Sequence, residues 1–230
     1  MKKKLVVLSG AGISAESGIK TFRDYGGLWE NHRIEDVASP EGFARNPSLV
    51  LDFYNLRRRQ LKEVEPNEAH RILSALEDYY DVWIITQNVD DLHERAGSSR
   101  VLHLHGELLK VRPSGAEAPV MHWDQDLNLG DTDEKGRQLR PHIVWFGEVV
   151  PNIEEAAVWV SQADVFLVVG TSLQVYPAAG LVHEVPRNSK IYVIDPHLEE
   201  GILGRAHYFR CSATEGMKRL QEQLLSEFKH

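Results

Sequence analysis

Four short apolar runs punctuate the chain: Leu5–Leu8, Val82–Ile85, Val165–Val169 and Ile191–Ile194. Periodicity alone does not separate such runs from pieces of buried helix. Their β-branched content and abrupt polar ends predict strands. Longer stretches of helical pattern lie between them, the rhythm of a parallel sheet with crossover helices. The expected fold class is therefore α/β, a Rossmann-type parallel sheet flanked by helices.

Each predicted strand stops at small or hydrogen-bonding residues: Ser9-Gly10-Ala11-Gly12, Thr86-Gln87-Asn88, Gly170-Thr171-Ser172 and Asp195-Pro196. Ligands of open parallel sheets bind outside the carboxyl ends of the strands, so these ends point to one shared crevice. Two regions break the rhythm. Residues 29–76 read as helical, with Asn46-Pro47 and Glu65-Pro66-Asn67 near helix starts, and residues 110–140 are polar and turn-rich. Both are expected to form a small inserted module within one domain spanning 1–230, whose core comprises about 1–28, 77–109 and 141–230.

Gly10-Ala11-Gly12-Ile13-Ser14-Ala15 fits the G-x-G-x-x-A pattern after a strand. In that pattern the first glycine permits a tight turn, the second lets backbone approach a pyrophosphate, and Ala15 allows a following helix to pack closely. A dehydrogenase would place an acid about 20 residues on, at the end of a second strand. Here Asp24 falls in a loop, and no Gly-Lys-Ser/Thr phosphate loop occurs. A tight strand–helix turn without ligand is the alternative.

Composition narrows the field. The chain has 230 residues, 42% hydrophobic and 26% charged, enough for one full core. No stretch approaches the ~20 apolar residues of a membrane span. The basic start leads into too short an apolar run for a secretory signal. With one cysteine, Cys211, a cytoplasmic location without disulfides is expected. The formal net charge of −8 argues against a nucleic-acid partner. Of the run Arg57-Arg58-Arg59, at least two are expected to be solvated on a helix surface.

The blocks Gly10–Ile19, Thr21-Phe22-Arg23, Gly27-Leu28-Trp29, Thr86–His93, Leu104-His105-Gly106, Val144–Glu148 and Gly170–Ser172 together resemble the sirtuin family of NAD-dependent protein lysine deacylases. The resemblance extends over nearly the whole chain, to the bacterial desuccinylase-type branch. It implies that NAD is consumed as a co-substrate. The amide oxygen of an acyl-lysine displaces nicotinamide, and the acyl group then passes to a ribose hydroxyl. Free lysine, nicotinamide and acyl-ADP-ribose result. Acylated proteins or peptides are the implied partners.

The resemblance also assigns roles by position. His105 matches the catalytic base, a task suited to an imidazole titrating near neutrality. From the residues alone, a packed or exposed histidine is the favoured reading of His105, and a metal pair with His103 is a further alternative that lacks a third ligand close in sequence. Gly10, Ala11, Gly12 and Ala15 would meet the cofactor phosphates. Gln87, Asn88 and Asp90 match the nicotinamide and ribose site, though Asp90 or Asp91 could simply cap a helix. Phe22 and Arg23 lie on the family's cofactor loop. Gly170, Thr171 and Ser172 should meet the adenosine side, with Ala213 near the adenine. Asp195 stands where asparagine is common, and a plain turn before Pro196 is the alternative. Val144, Phe146 and Gly147 match the segment that pairs with substrate backbone, unless it is an ordinary core strand.

Tyr54 and Arg57 lie three apart on one helix face, and a surface pair on an amphipathic helix is the alternative reading. In the desuccinylase branch this pair binds the carboxylate of succinyl- or malonyl-lysine, and a guanidinium fork meets a carboxylate bidentately. Typical family members also hold structural zinc on four cysteines, which this chain lacks. No zinc is expected, and packing around Met121, Trp123 and Leu127 should stabilise the module. Transfer of ADP-ribose to protein, and a non-catalytic NAD or ADP-ribose sensor, are the rival functions.

Overall fold

The computed structural model describes residues 2–20, 28–29, 32–197 and 203–228. Six parallel strands form the main sheet: β1 (Lys4–Ser9), β4 (Asp81–Thr86), β5 (Val101–His103), β9 (Val165–Val169), β10 (Lys190–Ile194) and β11 (His207–Phe209). Their order is β11-β10-β9-β1-β4-β5. The four apolar runs are the four central strands. The two edges, three residues each and containing histidine, carry too little apolar pattern to announce themselves.

The continuous apolar text of the central strands has a physical reason. Successive side chains of a strand face opposite sides, and both sides of this sheet are covered. Leu5, Val7, Leu167 and Val169 enter one core with α4 (Glu68–Ala75) and α7 (Ala213–Ser226). Val6, Leu8, Phe166 and Val168 enter the other with α6 (Ile153–Val160). Fully burying each such side chain contributes about 1.5–3 kcal/mol. Thus residues 68–75, within the helical stretch 29–76, pack on the main sheet.

A second, antiparallel sheet has the order β7-β6-β8, with β6 (Gly106–Pro113), β7 (Met121–His122) and β8 (Leu139–Ile143). It packs on α3 (Pro47–Glu63) through buried Leu51, Val111, Leu127 and Leu139, with Met121 and Trp123 at the edge of this cluster. A small hairpin of β2 (Leu28–Trp29) and β3 (His32–Arg33) and the short helices α1 (Ile34–Val37), α2 (Pro40–Arg45) and α5 (Leu92–Arg95) are accompanied by 3-10 turns, among them Leu76–Asp78 and Ala178–Glu184. Asn46 caps α3, accepting the Leu49 N–H at 3.2 Å, and Asn67 caps α4 in a reciprocal capping box with His70.

Two expectations are corrected. The Gly10–Ala15 turn does not open a long helix: two three-residue 3-10 turns follow, Ala11–Ile13 and Ala15–Ser17. Gly12, Ser14, Ser17 and Gly18 are poor helix formers, and their local bonds favour tight turns. The arginine run is not largely solvated either. Arg57 and Arg58 are buried, and only Arg59 lies outside, paired with Asp126. Arg58 donates to the Leu108 carbonyl at 3.2 Å and to Asn55 Oδ1 at 2.8 Å, which satisfies part of a buried charge. Among the described residues, no helix is long and apolar enough to cross a membrane.

Candidate active site

The carboxyl ends of β1, β4, β9 and β10 open into one cavity of about 670 Å³ that continues between α3 and the second sheet. Its floor is a backbone clasp. Gly10 N–H donates to the Val169 carbonyl at 3.0 Å and Gly12 N–H to the Gly170 carbonyl at 2.8 Å. A Cβ on Gly12 would lie 2.6 Å from Gly170 Cα, and one on Gly170, at φ +64°, would lie 2.2 Å from Ile13 N. Only glycine lets the two loops approach this closely. Ala11, Ala15, Thr171 and Ser172 thereby line the cavity as parts of one surface. Ser212 caps α7 at the same place, and Glu16 accepts both the Thr214 N–H (2.9 Å) and its hydroxyl (2.6 Å). This brings Ala213 to the cavity wall.

The end of β4 supplies Gln87, Asn88 and Asp90. The Gln87 amide donates to Thr171 Oγ1 at 3.0 Å, which ties the β4 and β9 ends together. Asn88 Nδ2 donates to Ser14 Oγ at 3.2 Å, and Ser14 Oγ donates to Asp90 Oδ2 at 3.1 Å. Asp90 Oδ1 accepts the Leu92 N–H at 3.2 Å, a turn bond one residue ahead of the α5 N-cap, Asp91, which makes no side-chain cap bond of its own. Burial pushes the Asp90 carboxyl up to about 6, against the Leu92 and Ser14 hydrogen bonds.

The histidines beside them are not a metal pair. His103 bonds the Asn88 carbonyl through Nδ1 at 2.9 Å and Glu94 through Nε2 at 2.8 Å. Burial opposes its charge, yet the Glu94 bond prevails and raises its pKa above the ordinary value. His105 sits in the link between β5 and β6. Its Nδ1 lies 3.0 Å from the Gln87 carbonyl. That oxygen can only accept, so Nδ1 carries the proton and Nε2 keeps its lone pair in the neutral ring. Burial lowers the His105 pKa, with the Gln87 bond opposing. The result is a neutral imidazole with a fixed tautomer, in the wall of the cavity.

Gly106 fixes where that ring stands. It has φ +80°, and an added Cβ would lie 2.0 Å from the His142 carbonyl oxygen. Beside it, Val144 N–H donates to the His105 carbonyl at 2.9 Å.

Beyond His105 the cavity runs to Tyr54 and Arg57, both buried on α3. The Trp145 indole N–H donates to the Tyr54 hydroxyl at 3.0 Å, and burial pushes the Tyr54 phenol up. Val144, Phe146 and Gly147 form the near wall. They lie past the end of β8, so the reading of this segment as a core strand is corrected to a turn. Phe146 N–H donates to the Ala38 carbonyl at 3.0 Å, and the Phe146 ring is half exposed. Asp195, also in the wall, accepts the His197 N–H at 2.8 Å, the turn anticipated before Pro196.

Every described residue given a site role by the resemblance therefore lines one cavity, whereas His103 and Asp91 do not. Phe22 and Arg23 lie outside the described residues. Three contributors went unread: Ser14, which joins Asn88 to Asp90, Gly106, and Trp145. Gly106 carried a signal, a glycine directly after the candidate base.

Residues 10–177 match the Sir2 family profile. The chain is 63% identical over 224 residues to an NAD-dependent protein deacylase of Helicobacter pylori strain J99, covering 97% of this chain and 96% of that protein. It superposes on a Sir2 homolog–NAD complex with a TM-score of 0.87 at 40% identity, covering 99% and 91% of the two chains. A mutant Sir2 homologue with 2′-O-acetyl ADP ribose superposes with a TM-score of 0.89 at 39% identity, covering 100% and 94%.

Proposed function

The chain belongs to the Sir2 family, and on that premise we propose that it is an NAD-dependent protein-lysine deacylase. The observation that carries this reading is His105, held by Gln87 as a neutral base in the wall of the cleft. The names and ligands of the similar proteins support it.

The residues present fit the dinucleotide. Gly10, Gly12 and Gly170 bring main chain to the cavity floor, where the phosphates would lie against Ala11 and Ala15. Thr171, Ser172 and Ala213 would hold the adenosine end, and Gln87, Asn88 and Asp90 the nicotinamide end. NAD supplies the ribose carbon that gives up nicotinamide and the hydroxyls that take over the acyl group. His105 Nε2 takes a proton from a ribose hydroxyl, which the fixed tautomer permits at neutral pH. Gln87 and Thr171, bonded to each other, hold two strand ends in register around the reaction centre. Val144, Phe146 and Gly147 would present main chain to the peptide. The Val144 and Phe146 amides already donate within the chain, so pairing falls on the remaining main-chain groups.

The acyl end of the cavity supports a finer reading, a preference for succinyl- and malonyl-lysine with acetyl-lysine also accepted. Arg57 offers a fork for the distal carboxylate and Tyr54 a hydroxyl on the same helix face. Mass spectrometry of acetyl-, succinyl- and malonyl-lysine peptides incubated with NAD tests the reading. Deacylated peptide, nicotinamide and acyl-ADP-ribose are expected. Nicotinamide release with ADP-ribosylated protein and intact acyl groups would identify a transferase instead, and no release with any peptide a sensor. Arg57→Met should reduce succinyl turnover far more than acetyl turnover; equal losses sink the acidic-acyl preference.

A further inference from the structure

Trp145 is held from several directions. Its ring lies over the Arg140 guanidinium, 3.3 Å from centroid to Cζ, and beside Phe43 at 5.3 Å. Glu148 accepts two bonds from Arg140, at 2.6 and 3.0 Å, and the Trp145 main-chain N–H at 2.8 Å. Burial would raise the Glu148 carboxyl, but the Arg140 bonds hold it below its ordinary value, so it stays an acceptor for both. The indole is thus fixed in direction as well as place.

An indole N–H can only donate. At the Trp145–Tyr54 contact, therefore, the Tyr54 oxygen accepts, and its own proton must be directed elsewhere. A phenol oxygen that accepts a hydrogen bond is also polarised into a better donor. Tyr54, Trp145 and Arg57 all line the acyl end of the cavity, and Tyr54 is fully buried, so water does not compete for these directions. A Tyr54 hydroxyl free to rotate could instead present a lone pair, which repels an anionic acyl end.

We propose that Trp145 is a specificity-positioning residue: its indole N–H orients the Tyr54 hydroxyl as a donor toward a carboxylate-bearing acyl chain. This favours acidic acyl groups over short neutral ones, which have no acceptor at that depth. The inference rests on the acidic-acyl reading above and adds the residue that sets it.

The test uses the full chain and four proteins: wild type, Trp145→Phe, Tyr54→Phe and the Trp145→Phe/Tyr54→Phe double variant. Phenylalanine keeps an aromatic ring at Arg140 but removes the N–H together with part of the indole volume, a packing loss that should act on both substrates alike and leave the ratio to report the N–H. The ratio of kcat/KM for succinyl- against acetyl-peptide is measured for each. Trp145→Phe should lower that ratio about three- to tenfold, mostly through a higher KM for the succinyl peptide. The double variant should be no worse than Tyr54→Phe, since both remove the same bond from opposite sides. If Trp145→Phe lowers both activities equally, or its effect on the ratio adds in full to that of Tyr54→Phe, the proposal fails. Tyr54→Phe reads the same bond should the tryptophan variant not fold. Arg57→Met separates the two readings. If it collapses the ratio while Trp145→Phe does not, only the role of Trp145 is lost. If it leaves the ratio unchanged, both readings fall.

Discussion

His105 and Gln87 are joined ring to main chain, with Nδ1 3.0 Å from the carbonyl oxygen. Because the acceptor is backbone, no side-chain substitution at position 87 removes it, and the tautomer is a property of the fold. Replacing His105 with Ala should lower kcat by about a hundredfold to ten-thousandfold, the usual range for a lost general base. Unchanged steady-state turnover of an acyl-lysine peptide would rule out this role. The lowered pKa has a sign as well. Since burial favours the neutral ring, the base form persists below the ordinary imidazole value, and the acid limb of kcat/KM should lie below about 6.5.

Gly106→Ala should be costly without touching a ligand. The residue has φ +80°, and the new Cβ would meet the His142 carbonyl at 2.0 Å. Backbone strain of this kind costs about 1–3 kcal/mol, and the overlap adds to it. Urea unfolding should show a lower midpoint at an unchanged slope. A midpoint equal to wild type would show that β6 and β8 can separate there freely.

Glu94→Gln should return His103 to a lower pKa. The carboxylate, 2.8 Å away, is what outweighs burial and keeps the ring charged above its ordinary range. Histidine ring resonances followed by NMR from pH 5 to about pH 9 report this directly. A titration that does not move in the variant would assign the shift to something else.

How much of this was legible in sequence depends on where each interaction is stored. Leu5–Leu8 and Val165–Val169 declared themselves because a strand buried on both faces is apolar at every position. The edge strand Val101–His103 did not, since it is short, pairs with β4 on one side only and has room for a histidine. The Gly10–Gly12 turn was readable as a close approach, but its partner, Gly170, lies far along the chain, and only the fold brings them together. The same holds for Trp145 and Tyr54, 91 residues apart. Arg58 was misread because composition does not say that Asn55 and the Leu108 carbonyl wait for it. Local propensity was legible; pairings across the sheets were not.

His70 and His93 predict acid lability. Their rings are 5.0 Å apart, His70 Nδ1 accepts the Asn67 N–H at 3.3 Å, and His93 Nε2 lies 2.9 Å from Ser9 Oγ. Burial lowers His70 to about 4 and His93 well below its ordinary value. The unfolded chain then binds more protons below about 6.5, so stability is complete above that pH and falls as the pH drops toward 4. Each group contributes a slope of at most about 1.4 kcal/mol per pH unit. Asp90, raised by burial to about 6, works in the opposite direction, which makes the comparison with a variant the clean measurement. His70→Gln should lose less stability than wild type between pH 7 and pH 5 by urea unfolding. Parallel losses would remove His70 from the account.

Glu16 bonding Thr214 ties together residues 198 positions apart. β1 is central in the sheet and pairs with strands beginning at Asp81 and Val165. As the chain leaves the ribosome, its first strand therefore waits for partners made much later. The turn that follows β1 gets its last anchor only when the final helix emerges. A polypeptide cut short before that helix holds nearly all the residues of the cleft but not its closing strap. Such long-range closure is slow to form, and the capacity to hold a dinucleotide should arrive late and all at once during synthesis.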